Sequence, residues 1–145
     1  MLLESFRTNA KLSDSAKKEI AKTWRTFQFR RFRKFSRGQG SWAPVKKKKR
    51  GGILRDSDTL MNSLSPVFRR RRGQFQKLNK TSIRIGIGGN ARHPKAKNLT
   101  VAQLAAIHHP TRPVIGTLDR RTKNKIKRIM KDDLRKQLRK SRRRR

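Results

Sequence analysis

A chain of 145 residues is the size of one domain, and Leu, Ile, Val and Phe make up only about 22% of it, just above the roughly 20% below which a highly charged chain stays unfolded. Lys and Arg number 43 against 8 Asp and Glu, a net charge of +35 that opposes compaction unless polyanion or counterions screen it, so the chain is expected to work beside nucleic acid. The absence of Cys excludes disulfide frameworks, Cys-type zinc modules and thiol catalysis, the eight carboxylates leave little for acid–base or hard-metal chemistry, and no apolar stretch resembles a membrane span or a secretory signal.

From Ser13 or Ser15 as N-cap, Ala16, Ile20, Trp24 and Phe27 recur at helical spacing and predict a first helix. Its continuation is ambiguous: Phe27 and Phe29 suit a strand, whereas Phe29, Phe32 and Phe35 suit a helix. Turn chemistry over residues 37–44, with two glycines and a proline around Trp42, ends the helix. Lys46, Lys47, Lys48, Lys49 and Arg50 run into two glycines and predict a mobile basic loop over about 46–52. Asp56 and Asp58 precede Leu60 and Leu64 as caps of a short helix, which Pro66 stops. Val67 and Phe68, then Arg69, Arg70, Arg71 and Arg72, then Gly73, Phe75 and Leu78, predict two short strands around a basic turn at about 69–73. Ile83, Ile85 and Ile87 alternate with Ser82, Arg84 and Gly86 and predict a half-buried strand.

After a loop at 90–98, Thr100 and Gln103 make a capping box for a helix over 101–108, whose Val101, Leu104 and Ile107 share a face. From Asp119, the stripe Ile126, Ile129, Met130, Leu134 and Leu138 predicts an amphipathic last helix that frays into a basic tail at about 139–145. The expectation is one α+β domain over 1–145: a small, mainly antiparallel sheet flanked by helices, with long basic loops and a C-terminal amphipathic helix.

Possible chemistry is sparse. The glycines at 86, 88 and 89 suggest a phosphate loop, but Arg92, His93 and Pro94 follow where a helix would have to begin, so a strand end and turn accounts for them better. His93, His108 and His109 have no neighbouring carboxylate to complete a metal site, and capping is preferred to Mg2+ binding for Asp56 and Asp58. No catalytic residue, cofactor, metal or small-molecule substrate is expected. The aromatic and basic mixture at 24–35 could stack on unpaired bases, but its spacing favours a helix burying Trp24, Phe27 and Phe35 with Arg on the wet side. Three charge runs remain as sequence-independent phosphate contacts: residues 46–50, residues 69–72, and Arg142, Arg143, Arg144 and Arg145.

The order of the short motifs is more specific. Trp42-Ala43-Pro44, then Leu54-Arg55-Asp56-Ser57-Asp58-Thr59-Leu60-Met61-Asn62-Ser63-Leu64, resembles the tailed-phage virion morphogenesis (tail completion) family, in which a Trp-x-Pro turn precedes an LRDTG-x-L-x-x-S segment. The strand at 83–88 ending in Gly, Leu104-Ala-Ala-Ile-His108 and Arg112-Pro113-Val114-Ile115-Gly116 resemble the family's later motifs, in the same order. Asp58 stands where the family has Gly, His109-Pro110 replaces a polar-aromatic-Gly sequence, and Val114 replaces Phe. The resemblance implies a non-enzymatic virion subunit that forms a homo-oligomeric ring at the head–tail junction, as a neck or tail-terminator component assembled in the host cytoplasm with other neck and tail proteins. The charge adds packaged double-stranded DNA, or an acidic neighbour, as a partner. Composition alone supports the alternative of a ribosomal or other RNA-binding protein. Within the motifs, Trp42 is expected to anchor its turn on the core, Leu64 to pack under the sheet and Arg112 to hold a backbone or carboxylate contact.

Overall fold

A computed structural model describes residues 1–7, 11–42, 58–69, 72–94 and 98–143. In chain order the elements are β1 (Leu2–Arg7), α1 (Asp14–Ser36), α2 (Thr59–Asn62), β2 (Gln74–Leu78), β3 (Ser82–Ile87), α3 (Val101–His108) and α4 (Arg120–Arg142). The architecture is α+β: the described residues form a three-stranded antiparallel sheet, in the order β1-β3-β2, and four helices. The expected loop over 46–52 lies outside the described residues.

The central strand β3 explains where the core sits. Its alternation puts Ile83, Ile85 and Ile87 on one face, and all three are buried. Register adds Leu2, Glu4 and Phe6 from β1 and Gln74, Gln76 and Leu78 from β2 to that face, because residues directly opposite in an antiparallel pair point the same way. Helix α1 packs against β2 and β3, and α3 against β1 and β3. Ser5, Arg7, Lys77 and Arg84 project from the opposite face and are exposed. Strand β1 was not expected from the sequence, although Leu2, Glu4 and Phe6 alternate in burial with Leu3, Ser5 and Arg7 along it.

Helix α1 starts as expected: the Ser13 hydroxyl accepts from the Ala16 N–H. It runs unbroken through the ambiguous 27–35 stretch and closes at Gly38, whose φ of 77° suits glycine. There the N–H of Gly38 donates to Phe35 O and that of Gln39 to Lys34 O, a Schellman closure. The buried residues in its second half are Arg25, Gln28, Phe32 and Ser36, while Phe27, Phe29 and Phe35 are half-buried on its flanks. The expected wet-side placement of Arg therefore fails at Arg25, which is buried.

Other expectations also need correction. Asp58 sits at the N-cap position of α2, but its side chain makes no capping bond and its backbone is left-handed, φ 51°. Val67 and Phe68 form no strand and are exposed. The basic turn is fixed at its described ends: Gln74, itself buried, accepts from the Arg69 N–H at 2.5 Å and donates to Asn62 O and Ser65 O, and the Gly88 N–H donates to Gly73 O. Helix α3 has the expected capping box, but it buries Val101, Ala102 and Ala105 and leaves Ile107 60% exposed. Its two buried alanines let the backbone approach the core, while the larger Ile107 lies outwards.

Helix α4 begins at the Asp119 cap and stays helical through Arg142, so residues 139–142 are not a frayed tail. Its stripe packs against α1 along only part of its length: Ile126 is buried, Ile129, Met130 and Leu134 are partly buried, and Leu138 is 63% exposed. Near its C-terminal end, the Asp133 carboxylate accepts from both the N–H (2.9 Å) and the hydroxyl (2.5 Å) of Ser13, and Gln137 donates to Lys11 O. These bonds tie the last helix to the start of α1.

Candidate nucleic-acid interface

Three of the motif residues, Trp42, Pro113 and Gly116, meet the C-terminal half of α1. Trp42 is buried, its ring edge-on to Phe32 at 5.0 Å and to Phe35 at 5.7 Å, which supplies the aromatic partners its local sequence lacks. Leu60 and Leu64 are buried in the same core cluster, which also holds Ile83, Ile85 and Ile87 of β3. Pro44, Leu54 and Asp56 lie outside the described residues.

The segment 112–116 is gripped by α1. The amide of buried Gln28 donates to Gly116 O at 2.6 Å and accepts from the Gly116 N–H at 2.9 Å, acting as a strand-like partner for that peptide. Arg31 donates to Pro113 O at 2.8 Å, and its guanidinium lies 4.6 Å over the Phe35 ring. Burial pulls the Arg31 pKa down. A Cβ on Gly116 would fall 2.2 Å from that guanidinium, so a side chain there would displace the Arg31 head. Val114 is fully buried beneath this clasp. The Arg112 N–H donates to His108 O, and burial, reinforced by the Arg112 charge, lowers the His108 pKa. Through Pro113 and Gly116 the segment is thus fastened to α1.

The charge runs contribute differently. Arg69, Arg142 and Arg143 are exposed and Arg72 is half-buried, with the first run ahead of β2 and the second at the end of α4. Lys46, Lys47, Lys48, Lys49, Arg50, Arg70, Arg71, Arg144 and Arg145 lie outside the described residues. The base-stacking candidates are used up by packing: Phe32 has no exposed surface, Phe29 packs against the core, and Phe35 is held between Arg31 and Trp42.

The structure places its clearest basic concavity elsewhere. A groove of about 960 Å3 runs between α1 and the first turns of α4. Lys22, Arg30, Arg31, Lys34, Arg121 and Lys125 line it against two carboxylates, Glu19 and Asp119, with Phe27 and Phe35 as its apolar floor. One wall is readable in the sequence, since Lys22, Thr26, Arg30 and Lys34 follow one another at steps of four, but its pairing with α4 is not. Helix α4 adds twelve cations and two carboxylates over 23 residues.

No family model, curated protein or solved structure matches the chain. Among the described residues, no three His, Asp or Glu side chains are placed to hold a metal, and no helix is long and apolar enough to cross a membrane.

Proposed function

We propose that the chain is a non-enzymatic structural subunit of the head–tail junction of a tailed phage, a neck, tail-terminator or tail-completion component that joins a homo-oligomeric ring and turns basic surface towards packaged DNA. One observation carries the proposal. At Asp58, where the resembled family has Gly, the backbone takes a left-handed φ of 51°, the conformation that a Gly would supply without strain. This position supports the resemblance at the level of backbone geometry.

The basic groove between α1 and the first turns of α4 supports the DNA-facing part, because phosphate neutralisation calls for cations and no base-reading groups. The RNA-binding alternative retains the composition, but loses Phe32 as a stacking platform. Electron microscopy of assembled particles tests the proposal: density for this fold in a ring between head and tail is expected. A chain absent from particles, or a stable monomer that joins no ring in the presence of head and tail components, would refute it.

A further inference from the structure

We infer that the groove between α1 and the first turns of α4 is a binding site for the sugar-phosphate backbone of duplex DNA. The inference rests on the DNA-facing proposal above and names the surface that makes the contact. On the α1 wall Lys22, Arg30 and Lys34 are exposed along one ridge, with Thr26 at the remaining step. On the α4 wall Arg121 and Lys125 are exposed one turn apart. At 1.5 Å per residue, the α1 ridge is about 18 Å long. That is the axial length of roughly five phosphates on one strand.

These cations are available to a ligand. Among the described residues none of the five is in an ion pair; the pairs formed are Lys17 with Asp14, and Arg128 and Arg135 with Asp132. Of the two carboxylates on the groove, Asp119 is committed to the Thr122 N–H at the head of α4, and Glu19 lies at the far end of the α1 ridge from Lys34. The aromatic floor is half-buried: Arg31 lies over the Phe35 ring, Trp42 meets that ring at 81°, and Phe27 packs against the core. A groove walled by exposed cations, with its aromatics committed to such packing, favours a paired duplex over an unpaired strand.

The test compares three variants of the full chain. Lys22→Gln/Arg30→Gln/Lys34→Gln empties one wall, Arg121→Gln/Lys125→Gln the other, and Lys131→Gln/Lys136→Gln/Lys140→Gln removes three exposed charges from α4 outside the groove. Binding to a labelled mixed-sequence DNA duplex is measured across a salt series. The two groove variants are expected to lower the slope of log affinity against log salt by about 2 to 3 and about 2, at close to one per lost contact, and the α4 control by less than about 1. Equal losses in the groove and control triples would overturn the groove site and leave the DNA-facing proposal standing on general charge. A parent chain that does not bind duplex would overturn both. Preferential binding of structured RNA that is lost in the groove variants would reassign the groove to RNA and overturn the inference.

Discussion

Gln28 shows how much of this fold depends on polar residues in apolar positions. It occupies the buried stripe of α1 because its amide completes both hydrogen bonds of the Gly116 peptide. Gln28→Ala should therefore cost about 2 kcal/mol or more, since it strands two backbone groups in a packed site. Trp42→Ala and Leu64→Ala should each cost about 2 to 5 kcal/mol, as large-to-small changes in a core do. Denaturant melts check all three, and parent-like midpoints would mean that the core lies elsewhere. Arg25 is the opposite case. Burial takes its guanidinium down to about 10, with the Gln76 amide oxygen at 2.5 Å and the Phe68 ring at 4.9 Å as its partners. Met has a similar length without the desolvated charge, so Arg25→Met should melt at or above the parent and Arg25→Ala below it.

At the scale of elements, the end of the chain is tied to its beginning through Asp133. Burial raises the pKa of this carboxyl, but hydrogen bonds from the Ser13 hydroxyl and N–H and from Gln137 outweigh it, and the net shift is downward from 3.8. A folded-state pKa below the unfolded one stabilises the fold above about pH 4, and that contribution is lost as the pH falls through the folded value. Asp133→Asn should accordingly lower the melting temperature at pH 7 and converge on the parent as the pH falls through the folded-state pKa, which a pH series of thermal melts measures. Elements with a local signature were legible in the sequence: the Ser13 cap, the amphipathic stretch from Asp119, the Thr100–Gln103 box and the isoleucine alternation of β3 each depend on residues close together in the chain. The second half of α1 was ambiguous because Gln28 and Ser36 interrupt its buried stripe, while half-buried phenylalanines mark its flanks. Strand β1 was missed because its alternation includes Glu4, whose pairing with β3 is a contact across more than eighty residues. The groove was hidden for the same reason, since α1 and α4 meet only in the tertiary fold.

For the whole molecule the governing quantity is +35, carried by 43 cations and 8 carboxylates. Helix α4 alone extends about 34 Å with twelve of those cations. At low salt the Debye length is roughly 30 Å, so repulsion acts across such distances, whereas at 0.1 M it shrinks to about 10 Å. The isolated chain should therefore gain thermal stability as salt rises, and gain more from duplex DNA at low salt, because a ligand that binds only the folded state stabilises it. The same charges separate the two candidate partner classes. A backbone-facing subunit binds duplex with a steep salt dependence and little sequence preference, and Lys46→Gln, Lys47→Gln, Lys48→Gln and Lys49→Gln together should flatten that dependence if the run contacts phosphate. An RNA reader instead prefers folded or unpaired RNA and loses roughly 1 to 3 kcal/mol per stacked base when its platform is removed. The measurement is competition between duplex DNA and structured RNA across a salt series, with the four-lysine variant in parallel. Duplex preference that weakens with salt and with the lysine changes is the expected result. RNA preference that persists at high salt and ignores those changes would transfer the chain to the RNA-binding class. Weak binding to both would make an acidic protein ring the partner, since the repulsion among so many cations is relieved only by a negative surface.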